Sequence, residues 1–138
     1  MRDHYLAVKT RLLADPALTG KVYDTAVVDA GGLPLVGTYA ILFGGAPDVL
    51  MSNRFSAPQS VDSDAEYVYT VRAVSTTADG VRSVLTKAAT QLVGHRLVVA
   101  GRSCRTEQTD VTKIQWDKST NPALFFSDVE YTVFSSPA

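Results

Sequence analysis

The stretch from Ala65 to Ala100 constrains the fold more than any other, because its hydrophobic period changes within a short span. In AEYVYTVRAV, Tyr67, Tyr69, Val71 and Ala73 point one way and Val68, Thr70, Arg72 and Val74 the other. A period of two is that of a strand. The first set is apolar and the second mixed, which predicts a sheet with helices on one face and a wetter environment on the other. The polar run Ser75–Thr77 then leads into ADG, where Thr77 or Asp79 can cap a helix. Val81, Val84, Leu85, Ala88 and Leu92 share one side of that helix, with Arg82 and Lys87 opposite. Gly94 is expected to be its left-handed cap, and HRLVVAG a second strand.

The flanking segments extend this unit. From Asp3 to Ala14, the residues Tyr5, Val8 and Leu12, flanked by Leu6 and Leu13, make one helical stripe. Pro16 disfavours helical geometry at Asp15, so the helix is expected to stop near Ala14. KVYDTAVV reads as a short strand and DAGGLPLVG as a break. TYAILFGG reads as a strand apolar on both faces, interior to the sheet and ended by its glycines. Ala46–Asp64 is expected to be the longest irregular stretch. After Ala100, RSCRTEQTD looks turn-like, VTKIQWDKS alternates through Val111, Ile114 and Trp116, and Pro122 breaks the chain. LFFSDVEYTVFS closes it as a strand, with Val129, Tyr131 and Val133 opposed to Glu130, Thr132 and Phe134. Strands without helical spacers pair most simply as antiparallel hairpins. The expected fold is α+β, an α/β sandwich: a mixed, mainly antiparallel sheet with two principal helices packed on it, in the order α-β-β-β-α-β-β-β. With 138 residues it forms a single domain over residues 1–138.

Composition removes several functional classes. A formal net charge of -1 argues against a dedicated nucleic-acid binder. The single Cys104 cannot form an intrachain disulfide and is expected to be a reduced thiol at a strand end. No apolar run approaches the roughly 20 residues that span a bilayer. Asp3, Lys9 and Arg11 interrupt the first apolar stripe, so no secretory segment is expected and the chain should begin soluble in the cytoplasm. No glycine-rich phosphate loop is present. His4 and His95 lack ligand partners at metal-binding spacing. Ser103 and Cys104 have no nucleophile elbow around them. The acid pairs Asp62 with Asp64 and Asp128 with Glu130 read as solvated faces. Trp116, Tyr67, Tyr69, Phe125 and Phe126 could stack bases, but no Lys/Arg stripe accompanies them, so packing is favoured. These residues predict no catalytic, metal or cofactor site and no enzyme.

Two stretches carry a resemblance: the DPAL turn closing the first helix in LLADPALTG, and the helix GVRSVLTKAATQLVG leading to HRLVVAGRSCR. With KVYD, YVYTVRAVS and the closing NPALFFSDVEYTVFSS, the chain resembles the tail terminator and tail completion (neck) proteins of long-tailed bacteriophages over nearly its whole length. It departs from many of them in the insertion APDVLMSNRFSAPQSV. The resemblance implies a structural virion protein of the tail or neck, assembled in the host cytoplasm. Such a subunit forms a ring, generally a hexamer, that caps the tail tube and meets the head connector, with DNA passing only in transit. No cofactor and no membrane partner is implied. A head completion or stopper neck protein is the nearest alternative, and a small-molecule-binding α/β domain a more distant one. A ring subunit needs two different sticky surfaces. The candidates are the loop around Met51, Arg54 and Phe55 and the aromatic segment at Phe125 and Phe126.

Overall fold

Twelve residues of strict alternation form the central strand of the molecule, and the rest of the chain is layered about it. The computed structural model describes residues 2–24, 32, 35–51, 64–119 and 122–137. In chain order the elements are α1 (Arg2–Leu13), β1 (Val22–Tyr23), β2 (Tyr39–Met51), β3 (Asp64–Ser75), α2 (Ala78–Leu92), β4 (Arg102–Val111), β5 (Gln115–Asp117) and β6 (Leu124–Pro137). This is the α+β order expected from the sequence. One sheet runs β1-β2-β3-β6-β4, with β5 also paired to β6. Among the described strands only the β1–β2 pairing is parallel. The ladders β2–β3, β3–β6, β4–β6 and β5–β6 are antiparallel. Because β3 and β4 both run against β6, they are parallel to each other, and the helix-bearing connection carries the chain past the strand between them.

The core lies where the helices meet the sheet. Ala65, Tyr67, Tyr69, Val71 and Ala73 of β3 are buried there, opposite Val133, Tyr131 and Val129 of β6. Val8 and Leu12 of α1 and Val81, Val84, Ala88 and Leu92 of α2 pack onto them. Thr77 is the N-cap: its backbone is extended and its hydroxyl accepts from the Gly80 N–H at 3.0 Å. Arg11 of α1 donates twice to Gln91 Oε1 of α2, at 2.6 and 3.0 Å, and so ties the two helices together.

Four expectations need correction. Gly94 is not left-handed. The helix ends at Val93, whose N–H bonds to the Ala89 carbonyl at 2.8 Å. A side chain at Gly94 would run into the Thr90 carbonyl, so the position needs smallness rather than positive φ. The left-handed glycine is Gly101, at φ 71°, which turns the chain into β4. HRLVVAG is therefore a connector, not a strand, and the polar RSCRTEQTD segment is the strand. An edge strand needs only backbone pairing, and charged side chains along it discourage further pairing. β4 buries Cys104 and Thr106 alone. Cys104 thus sits inside a ladder rather than at a strand end. Finally, β2 does not stop at its glycines. It continues through Pro47 to Met51 with register shifts on either side of Pro47, where a bulge tolerates the missing donor. Gly44, at φ 100°, makes this possible, because a side chain there would collide with the Val68 carbonyl. The first part of the stretch expected to be irregular is therefore strand, and residues 52–63 lie outside those described. Of KVYDTAVV, Val22 and Tyr23 form β1, and residues 25–30 are likewise outside.

Candidate functional site: the face of the sheet away from the helices

The alternation that buries one side of β3 presents its other side, Glu66, Val68, Thr70, Arg72 and Val74, to the opposite face. At one end of that face Tyr39, Ile41, Val74 and Leu124 form a second apolar cluster, with Tyr23, Leu35, Phe43 and Phe126 against it. Neither helix contributes a residue to this cluster. Its neighbour is Arg72, which faces Asp128 across the β3–β6 ladder. The guanidinium grips the carboxylate with both arms, Nε to Oδ1 at 2.7 Å and Nη2 to Oδ2 at 3.0 Å. It also lies 5.0 Å from the Phe126 ring centroid and 5.7 Å from that of Phe43. The planar cation is thereby held by a fork below and rings at its sides, a geometry that lysine could not reproduce. The bond to Asp128 pushes the Arg72 pKa further up.

Beyond Arg72 the face turns polar. Thr109 Oγ1 lies 3.1 Å from Glu130 Oε1 and 3.3 Å from Thr132 Oγ1. At the far end Arg105 covers the Phe134 ring at 4.8 Å and pairs with Glu107 at 3.5 Å. Aromatic rings, an anchored arginine and a charged surround are the ingredients of a protein contact surface. Among the described residues no group of His, Cys, Asp and Glu is placed to hold a metal.

The expected contact residues fall in three places. Phe126 belongs to this face. Phe125 points to the helix side, where Trp116 stacks on it at 5.9 Å and 6°. The two phenylalanines are thus adjacent in sequence and on opposite sides of the sheet, as a strand requires. The backbone of Met51 pairs with Asp64 at the end of β2. Arg54 and Phe55 lie outside the described residues. Sequence reasoning left Arg72 and Phe43 out of the candidate contact set. The mixed second face of β3 was the available signal, but the cross-strand partner that makes Arg72 an anchor is 56 residues away in sequence. The sequence favours packing over base stacking for Trp116, whose ring stacks on Phe125. It is 57% exposed, with Lys118 Nζ 4.1 Å from its ring.

A second polar constellation is internal. Ser135 Oγ, on the helix side of β6, meets His4 Nε2 at 2.8 Å, Arg102 Nε at 2.9 Å and Cys104 Sγ at 3.6 Å. His4 also stacks on Tyr67 at 4.2 Å. Burial, then the N-terminal ammonium and Arg102, hold the His4 pKa below its ordinary value, with Asp3 opposing. A serine beside a histidine suggests a nucleophile, yet His4 Nδ1 has no partner among the described residues to orient it. The arrangement pins α1 and β4 to the end of β6. His95 behaves as expected of a residue after a helix, its Nδ1 3.1 Å from the Thr90 carbonyl.

No family model matches this chain. No curated protein matches it either. Thirteen chains of solved structures do match. One belongs to a structure described as "Virion of native gene transfer agent (GTA) particle"; it is 18% identical, covers 96% of this chain and 93% of its own length, and superposes with a TM-score of 0.60. At that identity the likeness is one of fold, and it extends over essentially the whole of both chains.

Proposed function

We propose that this chain is a structural virion protein: a ring-forming tail terminator or completion subunit that caps the tail tube and joins it to the head connector. The observation that carries the reading is the end-to-end fold likeness to a chain of a virion particle. It agrees with the sequence resemblance to the tail terminator and completion proteins. An open sheet face built of anchored aromatic and charged side chains suits a subunit whose work is contact rather than chemistry. In this reading the ring is a hexamer, its partners are the tail tube protein and the connector or stopper protein, and DNA crosses the lumen without being held. The near-neutral chain suits that passage, since a strongly basic lumen would retain phosphates. Phe126 and Phe125, with Met51, Arg54 and Phe55, are the proposed contact residues.

Electron microscopy of particles assembled without the protein tests this. Tails of uncontrolled length are expected. Normal tails beside filled heads that leak DNA would instead assign the chain to head completion. A strict monomer at high concentration that binds a small ligand would move it out of the virion altogether.

A further inference from the structure

The acidic and basic side chains are sorted between two sides of the molecule. On the open face of the sheet the register of the described strands places seven carboxylates, Asp64, Glu66, Glu107, Asp110, Asp117, Asp128 and Glu130, against two guanidinium groups, Arg72 and Arg105. Asp128 is neutralised by Arg72 and Glu107 by Arg105. Among the described residues no Lys or Arg pairs with Glu66, Asp110, Asp117 or Glu130. The helix side is the reverse. Arg11 spends its donors on the neutral amide of Gln91 and so keeps its charge. Lys87 stands one turn before Gln91 on α2. Arg96 lines the same groove as Arg11, a cavity of about 510 Å³ between α1 and the α2–β4 connector. Among the described residues Asp3 is the only carboxylate lining that groove. Asp79 of α2 is taken by Arg82 at 2.6 Å.

Apolar surface is exposed on both sides as well. Leu6 and Val98, 45% and 90% exposed, wall the basic groove. On the acidic face Phe43, Phe126 and Phe134 are half-buried. A net charge of -1 for the whole chain conceals this division.

We propose that copies of the chain associate head-to-tail, the acidic, aromatic face of one sheet docking on the basic, apolar seam between α1 and α2 of the next copy. The inference rests on the ring reading above and names the contact that builds the ring. The partner is a second copy because the chain carries both halves of a complementary pair on opposite sides of the sheet, Asp110, Asp117 and Glu130 on one and Arg11 and Lys87 on the other. Glu66 and Arg96 line a common cavity at the sheet's end and stand outside the pair. Such a contact is heterologous, and it closes into a ring when its rotation divides a full turn. Complementary charge fixes which surfaces meet and sets their register, while the apolar groups supply burial.

Sedimentation velocity on the full chain tests the contact with two folded charge reversals, Asp110→Lys/Glu130→Lys on the sheet and Lys87→Glu on the seam. The wild-type chain is expected to be oligomeric and to weaken with added salt. Each reversal alone is expected to weaken association by about 10-fold or more. Mixed one to one, the two reversals should reassemble into a ring of even number in which they alternate, since every junction then regains opposite charges. The milder Glu130→Gln and Lys87→Gln ask less of the fold and are each expected to weaken assembly by about 3-fold. If the wild type is oligomeric and neither the reversals nor the neutral variants move it, the contact is wrong and the ring reading survives. Folded reversals that dissociate but fail to reassemble on mixing also overturn it. A wild-type chain that stays monomeric at high concentration overturns the ring itself and the contact with it.

Discussion

The two faces of this sheet are made by the same strands, residue by residue in alternation, and yet they are organised on different principles. The face under the helices is dry: Tyr69, Val71, Ala73, Tyr131 and Val133 are wholly buried. The open face has a small buried cluster at one end, Tyr39, Ile41, Val74 and Leu124, and beyond it is held by directed interactions, the Arg72–Asp128 fork, the rings beside it and the Thr109–Glu130 bonds. Burial is insensitive to direction, so the covered face can be specified by a simple apolar pattern. Directed contacts need particular partners, and these come from strands far apart in the chain. The covered face should therefore govern whether the protein folds, and the open face what it touches.

The largest effect expected of a single change follows from this contrast. Tyr69 is 0% exposed at the centre of the covered face. Tyr69→Ala removes a large buried ring and leaves a cavity, a loss of about 3–5 kcal/mol. Urea denaturation should show a lower midpoint at an unchanged m-value. Arg72→Ala, three residues along the same strand and on its other face, should cost less, about 1–2 kcal/mol, because the Arg72 side chain is itself 38% exposed and water can reach the abandoned Asp128. Arg72→Lys should recover only part of that, since the ammonium cannot fork onto both carboxylate oxygens. If Arg72→Ala were as damaging as Tyr69→Ala, the buried cluster would extend through the Arg72 site, and the distinction drawn between the covered face and this part of the open one would fail.

The same contrast explains what could be read in the sequence. The covered face announces itself in the period-two pattern of β3 and β6 and in the stripes of both helices, so element order and fold class were legible. Thr77 was legible as a cap because a cap is local chemistry. β4 was not, because an edge strand in this sheet buries only two side chains and otherwise looks like a polar turn. HRLVVAG misled for the opposite reason: Leu97 is buried while Val98 is exposed, an apolar run with no ladder to join. The Gly44–Gly45 pair read as a strand end, whereas Gly44 lets β2 pass close to Val68 and continue. Phe126, an expected contact residue, stands on the candidate surface. Arg72 was not expected there, because its role depends on Phe43 and Asp128, which only the folded sheet brings to it.

The covered face contains one place where protons should register. His4 is buried, and its pKa is held below the ordinary 6.5 chiefly by that burial, then by the N-terminal ammonium and Arg102. The unfolded chain therefore binds a proton more readily than the folded one as the pH falls through 6.5. Stability from this group is complete above that value and is lost progressively on acidification toward the lower folded pKa. Denaturation midpoints between pH 7.5 and 5.5 should decline for the wild type. His4→Gln should flatten the decline in this window, whatever it does to stability at neutral pH. An unchanged slope in the variant would place the proton uptake elsewhere.

The smallest expected change is the most discriminating about how dry the covered face is. Tyr69 and Tyr131 sit opposite each other across β3 and β6, and neither hydroxyl has a hydrogen-bond partner among the described residues. Burial alone pushes the Tyr131 phenol up to about 12. A hydroxyl withdrawn from water with nothing to bond costs folding free energy that a ring without it would not pay. Tyr131→Phe removes the oxygen and keeps the ring, so the lost packing is slight. Its denaturation midpoint should equal or exceed that of the wild type, by about 1 kcal/mol at most. A clear loss of stability would show that the hydroxyl is satisfied, and that this face is held partly by directed bonds, as the open one is.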